Sequence, residues 1–163
     1  MARARQRAQA CREPPGGPQG DPKTSGCRPA VSAVVDASVL VAATVDAGAE
    51  GSWAERVLAQ GNIVAPHLVL VEATNILRRL ERFKRLTGLE ATAAQKDLCT
   101  LELSLVPFEA FAERVWQLRR IVSSYDAWYV AVAEALDLPL ATLDRRLSRA
   151  PGPSCRFWLP PRP

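Results

Sequence analysis

Ser123-Ser124-Tyr125-Asp126-Ala127-Trp128-Tyr129-Val130-Ala131-Val132-Ala133-Glu134-Ala135-Leu136 runs directly into Asp137-Leu138-Pro139-Leu140-Ala141-Thr142-Leu143-Asp144-Arg145-Arg146. Ser123 or Ser124 is a good helix N-cap, which puts Asp126 in the first turn of a helix reaching about Leu136. That helix is apolar almost all round, with Glu134 the main exception, and such helices are normally buried. Its first turn is therefore expected at the mouth of a core. Leu138 to Leu143 then forms a short apolar run that stops at Asp144, as a buried strand would. One acid starts a helix, the other ends a strand, and ligands in sheets of this type bind at the carboxyl edge.

The same alternation extends outward in both directions. Val31–Val35 reads as a buried strand ending at Asp36, Ile63–Ala65 and Leu103–Val106 as further strands, and Cys155–Leu159 as an edge strand. Between them lie a helix or turn over Ser38–Thr44 and helices over Glu50–Gln60, His67 to about Arg85, Thr92–Glu102 and Glu109–Val122. A short basic helix is expected after Asp144. Pro66 suits the first turn of the third of these helices. The whole predicts an α/β fold with a mostly parallel central sheet of about five strands flanked by helices, over residues 31–160.

The chain has 163 residues, of which 48% are hydrophobic, enough for one domain with a core. No apolar run approaches the length of a membrane span. Its single histidine, His67, and four cysteines without a C-x-x-C pair argue against a zinc site or a disulfide framework, so a reduced, cytoplasmic protein is expected. The net charge of +4 belongs entirely to residues 1–30, where six basic residues face two acidic ones; the other fifteen of each sign cancel. This Arg-, Pro- and Gly-rich leader holds too few large apolar side chains to offset its ordering entropy, and disorder is expected. Its functional alternative is a basic arm on RNA phosphates.

Asp36 repeats the position of Asp144 at the end of an apolar strand. Glu72 follows Leu68-Val69-Leu70-Val71 on a helix, with Asn75 and Arg79 on the same face. Any one of these acids could be an ordinary cap or surface residue. Together they pose an electrostatic problem if they converge. A helix N-terminus stabilises an anion by about 0.3–1 kcal/mol. Two carboxylates ~4 Å apart repel by about 4 kcal/mol at an effective dielectric of 20. Either some acids are protonated or a divalent cation sits among them. An all-oxygen donor set selects a hard ion, Mg²⁺ or Mn²⁺. Such an ion lowers the pKa of bound water and clamps the oxygens of a phosphodiester, which is nuclease chemistry.

Four segments carry a resemblance: Val34-Val35-Asp36-Ala37-Ser38-Val39-Leu40, Leu70-Val71-Glu72-Ala73-Thr74-Asn75-Ile76-Leu77-Arg78-Arg79, Ser124-Tyr125-Asp126-Ala127-Trp128-Tyr129-Val130-Ala131, and Leu140-Ala141-Thr142-Leu143-Asp144-Arg145-Arg146-Leu147. The chain resembles PIN-domain ribonucleases of the VapC type, toxins of bacterial toxin–antitoxin pairs. The resemblance spans roughly Val34 to Leu159, and the thirty-residue leader departs from the compact family pattern. It implies a PIN-like fold and an Mg²⁺- or Mn²⁺-dependent endoribonuclease in which Asp36, Glu72, Asp126 and Asp144 hold the metal. It also implies an antitoxin that obstructs the acid pocket, an RNA substrate and a homodimer. Ser38 and Thr142, two residues from Asp36 and Asp144, are expected to orient those acids, and Asn75 to hold a water or Glu72. Arg79, Arg145 and Arg146 are candidate RNA-phosphate contacts; the alternative is that they solvate a surface. A haloacid-dehalogenase-like phosphatase wants an acid where Ser38 stands. A non-catalytic PIN-like binding module would lose acids that are all present here, and a DNA-directed nuclease of the same superfamily stays open.

Overall fold

The computed structural model describes residues 33–162; the basic leader and the first two residues of the expected first strand lie outside the described residues. The described chain forms five strands, β1 (Ala33–Val35), β2 (Ile63–Pro66), β3 (Leu103–Val106), β4 (Leu140–Ala141) and β5 (Phe157–Trp158). All their pairings are parallel, in the order β3-β2-β1-β4-β5. The central strands are buried on both faces, as runs such as Ala33-Val34-Val35 and Ile63-Val64-Ala65 require. Six helices connect them: α1 (Ala37–Val45), α2 (Ala49–Leu58), α3 (Val69–Arg82), α4 (Gly88–Thr100), α5 (Ala112–Leu118) and α6 (Ser124–Leu136). The chain winds outward from β1 to β3, then returns to β4 on the other side of β1. With right-handed crossovers this places α1–α4 on one face and α5–α6 on the other. α1 packs against α2, α3 and α4, while α6 lies on β1, β2 and β4. The winding direction reverses between β1 and β4, and that gap at the carboxyl edge is where such sheets bind ligands.

α6 is the element on which the core rests. Ser123 caps it, its hydroxyl oxygen accepting from the Asp126 N–H at 3.1 Å, and the seven residues Ala127–Ala133 are all buried. It stops at Asp137, whose left-handed backbone (φ 50°) turns the chain towards β4. Glu134, the polar exception on this helix, accepts from Arg114 Nε at 2.7 Å and Nη2 at 3.0 Å, and from Ser154 N at 2.7 Å and Oγ at 2.8 Å. Arg114 Nη2 also reaches the Gly152 carbonyl at 2.9 Å. The approach to β5 is thereby fastened to α5 and α6, and Trp158 adds an edge-to-face contact with Trp53 of α2 at 6.3 Å.

Several boundaries differ from expectation for identifiable reasons. The helix expected over Glu109–Val122 is a 3₁₀ turn, Glu109–Phe111, followed by the shorter α5. Ile121-Val122 is a β-branched pair with low helix propensity, and Ser123 must be extended to cap α6. Pro66 ends β2 instead of starting α3. It pairs only with Val106 of β3, and β1 does not extend far enough to need its missing N–H. α4 starts earlier than Thr92 because Thr87 and Glu90 form a reciprocal capping box. The strand expected over Leu138–Leu143 pairs only at Leu140 and Ala141, the edge strand only at Phe157 and Trp158, and the basic helix after Asp144 is a 3₁₀ turn, Leu147–Arg149. Cys99 and Cys155 are free thiols. Among the described residues, no helix is long and apolar enough to cross a membrane.

Glu134→Ala should strip four donors of their shared acceptor and lower stability by about 1–2 kcal/mol, since Arg114 is partly solvated. Urea denaturation monitored by Trp fluorescence measures this. A midpoint unchanged from wild type would show that the fastening contributes nothing.

Candidate active site

Asp36, Glu72, Asp126 and Asp144, separated by up to 108 residues in sequence, line one cleft of about 400 Å³, together with Ser38, Asn75, Arg79 and Tyr129. Asp36 leaves β1 and caps α1. Its Oδ1 accepts from Ser38 N at 2.9 Å, Ser38 Oγ at 2.5 Å and Val39 N at 3.2 Å, and its Oδ2 accepts from the Thr142 hydroxyl. Thr142 is fully buried and in turn accepts from Asp144 N at 2.9 Å, while Ser38 Oγ accepts from Leu143 N at 3.2 Å. Two hydroxyls thus stitch the end of β1 to the end of β4 across the gap between the strands. Asp144 accepts from Arg146 N at 2.7 Å and Leu147 N at 3.3 Å through Oδ1. Asp126 accepts from the Ser123 hydroxyl through Oδ2 at 2.7 Å, and Glu72 accepts from the Tyr129 hydroxyl through Oε2.

Asp36 and Asp144 cap turns, and they also face a common cleft. Ser38 orients Asp36, as its spacing suggests; Thr142 also donates to the Asp36 carboxylate and meets Asp144 only through that residue's backbone N–H. Asn75 lines the cleft; its Oδ1 accepts from Arg78 Nε and Nη2 at 3.1 and 2.9 Å, and its amide nitrogen makes no hydrogen bond to Glu72. Arg79 is on the cleft wall, whereas Arg145 donates to the Pro160 carbonyl at 3.0 Å and Arg146 is not among the lining residues. Tyr129 escaped the sequence reading. It lies one turn after Asp126 on the same helix face, and a buried phenol generally requires a partner for its hydroxyl, which was the available signal.

The electrostatics follow from this crowding. Burial pushes the Asp36 carboxyl above its ordinary value, against the pull of the hydrogen bonds from Ser38 and Thr142. Burial also raises Glu72, with Asp126 and Asp36 adding repulsion. Burial and the Glu72 hydrogen bond keep the Tyr129 phenol protonated. Among the described residues the one ion pair is Arg114–Glu134, so none of the four acids is neutralised by a side-chain cation. Among the described residues, no three of these acids are drawn together into a ready-made ion cage. Glu72 Oε1, Asp126 Oδ1 and Asp144 Oδ2 accept no hydrogen bond from the described residues. An oxygen-only donor set with uncompensated negative charge fits a hard divalent cation and does not fit a soft one.

The fold and cleft define a class, and the PIN domain family matches residues 33–153 of this chain. The chain belongs to that family. Within it the chain belongs to the VapC-type ribonucleases: it is 37% identical to ribonuclease VapC9 of Mycobacterium tuberculosis over 129 residues, covering 79% of this chain and 98% of that protein. Solved structures share the fold. VapC20 of M. tuberculosis, a sarcin–ricin-loop-cleaving toxin, superposes with a TM-score of 0.54 at 22% identity, covering 71% of this chain and 92% of its own. VapBC2 of Rickettsia felis, solved on a DNA fragment from its promoter, gives 0.55 at 16% identity, covering 80% and 100%.

The raised acids set a direction for stability in the ion-free protein. A carboxyl whose folded pKa is raised contributes stability below its ordinary value, and that contribution disappears as pH climbs through the folded one. Glu134 has the opposite sign: burial would raise it, but hydrogen bonds from Arg114 and Ser154 hold it low, so its contribution is lost only as pH falls through that lowered value. In EDTA, urea midpoints should therefore rise as pH is lowered from neutrality towards the ordinary carboxyl range and drop again in stronger acid. Glu72→Gln should flatten the rise and elevate the midpoint at neutral pH. Midpoints that fall steadily from neutral pH downwards would contradict the raised carboxyls.

Proposed function

We propose that this chain is the toxin of a type II toxin–antitoxin pair, an endoribonuclease that uses Mg²⁺ or Mn²⁺ to hydrolyse RNA phosphodiester bonds in the four-acid cleft. The observation that carries the reading is the convergence of Asp36, Glu72, Asp126 and Asp144 at the sheet's switch point with no side-chain cation to neutralise them. Asp36, Glu72, Asp126 and Asp144 would hold the ion, which when bound supplies water activation and charge neutralisation at the phosphate. Ser38 and Thr142 keep Asp36 fixed against the ends of β1 and β4, and Ser123 keeps Asp126 at the N-terminus of α6. Arg79, on the cleft wall, is the side chain placed to meet a phosphate. The VapC names of the relatives support the ribonuclease chemistry.

A partner surface adjoins the cleft. A groove of about 360 Å³, floored by Val41, Val45, Ile76, Leu80 and Leu86 and edged by Asp46, Glu50 and Arg85, shares Ser38 and Ile76 with the acid cleft. An antitoxin segment seated there would bury apolar side chains and cover the acids together. The pairing of VapB with VapC in the R. felis protein supports such a partner. A homodimer belongs to the same reading.

Purified protein should cleave members of a panel of structured RNAs with Mg²⁺ or Mn²⁺ and lose cleavage in EDTA. Asp126→Asn should lower the rate by about 100-fold or more. Cleavage of single-stranded DNA instead would redirect the substrate class, and equal rates for wild type and Asp126→Asn would remove the nuclease reading altogether.

A further inference from the structure

Tyr129 is 3% exposed, and its ring is part of the packed face of α6. Its hydroxyl nevertheless reaches the cleft and donates to Glu72 Oε2, on a helix 57 residues away in sequence. The backbone N–H of Ala37, the first residue of α1, approaches the phenolic oxygen. A single hydroxyl thus joins the two helices that carry Asp126 and Glu72.

Glu72 needs such an anchor more than the other acids do. Asp36 is held by two side-chain hydroxyls and two backbone N–H groups, Asp144 by two backbone N–H groups, and Asp126 by the serine that caps its own helix. Glu72 projects from the middle of a helical turn on a longer, more flexible side chain, and among the described residues Tyr129 is its one hydrogen-bond donor. Without that bond, repulsion from Asp36 and Asp126 favours rotamers that swing the carboxylate into solvent. A lysine or arginine could hold Glu72 as firmly, but would cancel the charge that attracts a cation. A phenol orients the carboxylate through one oxygen and leaves its charge intact.

We propose that Tyr129 is a positioning residue that holds Glu72 in the cleft, fixing Oε2 so that Oε1 is available to the divalent ion. The proposal rests on the four-acid metal site put forward above and adds to it a residue that touches neither ion nor RNA. Partners of this kind typically change metal affinity by about 10–100-fold when removed.

The test is calorimetric titration of Mn²⁺ into the full-length protein as wild type, Tyr129→Phe, Glu72→Gln and the double variant, with melting in EDTA run on each. Tyr129→Phe should weaken Mn²⁺ binding by about 10-fold or more, and should weaken it no further in the Glu72→Gln background. That non-additivity separates a bond acting through Glu72 from a general loosening of the fold, even if the variant melts earlier. Wild-type affinity in Tyr129→Phe, or losses that multiply in the double variant, would overturn the role of Tyr129. If Glu72→Gln is weakened while Tyr129→Phe is not, the metal site stands and only the positioning role fails. Wild type that binds no Mn²⁺ overturns both.

Discussion

The carboxylate of Asp36 is the contact on which the rest of the structure turns. It accepts from Ser38 through one oxygen and from the buried Thr142 through the other, and those two hydroxyls receive the N–H groups of Leu143 and Asp144. β1 and β4 pair through only two residues each, Val34 with Leu140 and Val35 with Ala141. Beyond that short ladder β1 runs directly into α1, whereas β4 runs into the loop and 3₁₀ turn that precede β5. The Asp36 knot extends the pairing past the ladder with side chains where backbone bonds cannot reach. A cleft forms at that point, and its floor is rigid because both walls are tied to one carboxylate.

A rigid floor lined with four acids is unfavourable in itself. Helix N-termini at Asp36 and Asp126 contribute about 0.3–1 kcal/mol each, less than the repulsion of closely spaced carboxylates. Burial adds to that deficit: it is the first cause of the raised Asp36 and Glu72 carboxyls, and only at Glu72 does repulsion, from Asp126 and Asp36, contribute as well. What tolerates it is the apolar mass behind the cleft. Ala127 to Ala133 of α6 are buried without interruption, and Leu40, Val69, Val130 and Leu140 are fully enclosed. Each fully buried side chain of this size contributes roughly 1.5–3 kcal/mol, so a few of them outweigh the strain at the edge. The helix that presents Asp126 to the cleft is also the main filler of the core, and the unfavourable charge cannot relax outwards without unpacking it.

This division explains what the sequence could disclose. Strand-end Asp36 and Asp144 and helix-start Asp126 are legible because each sits where an apolar pattern changes period, and Ser123 announces the cap. Parallel pairing is legible from strands without polar alternation. Tyr129 is not, because an aromatic residue inside an apolar helix reads as core, and it is core; only its hydroxyl takes part in the site. The pairing of Asn75 with Arg78 was equally hidden, since i±3 spacing offers Asn75 both Glu72, an acceptor for its amide nitrogen, and Arg78, a donor to its oxygen, and spacing does not say which is taken. Helix limits shifted wherever a local cap, such as Thr87 with Glu90, competed with the hydrophobic period.

The donors that hold the four acids share one property: Ser38, Thr142, Ser123, Tyr129 and the backbone N–H groups are all neutral. Arginine is present on the cleft wall as Arg79, yet it makes no ion pair with any of the acids. Neutral donors fix direction without removing charge, so the repulsion among the acids persists in the folded state. On the proposed reading, that residual repulsion is the source of cation affinity, because an ion that binds the folded cleft relieves it and an unfolded chain offers no equivalent site. Ion binding and folding are then linked through the same carboxylates, and a cationic side chain introduced among them would raise the stability of the ion-free protein while abolishing the function for which the strain is kept.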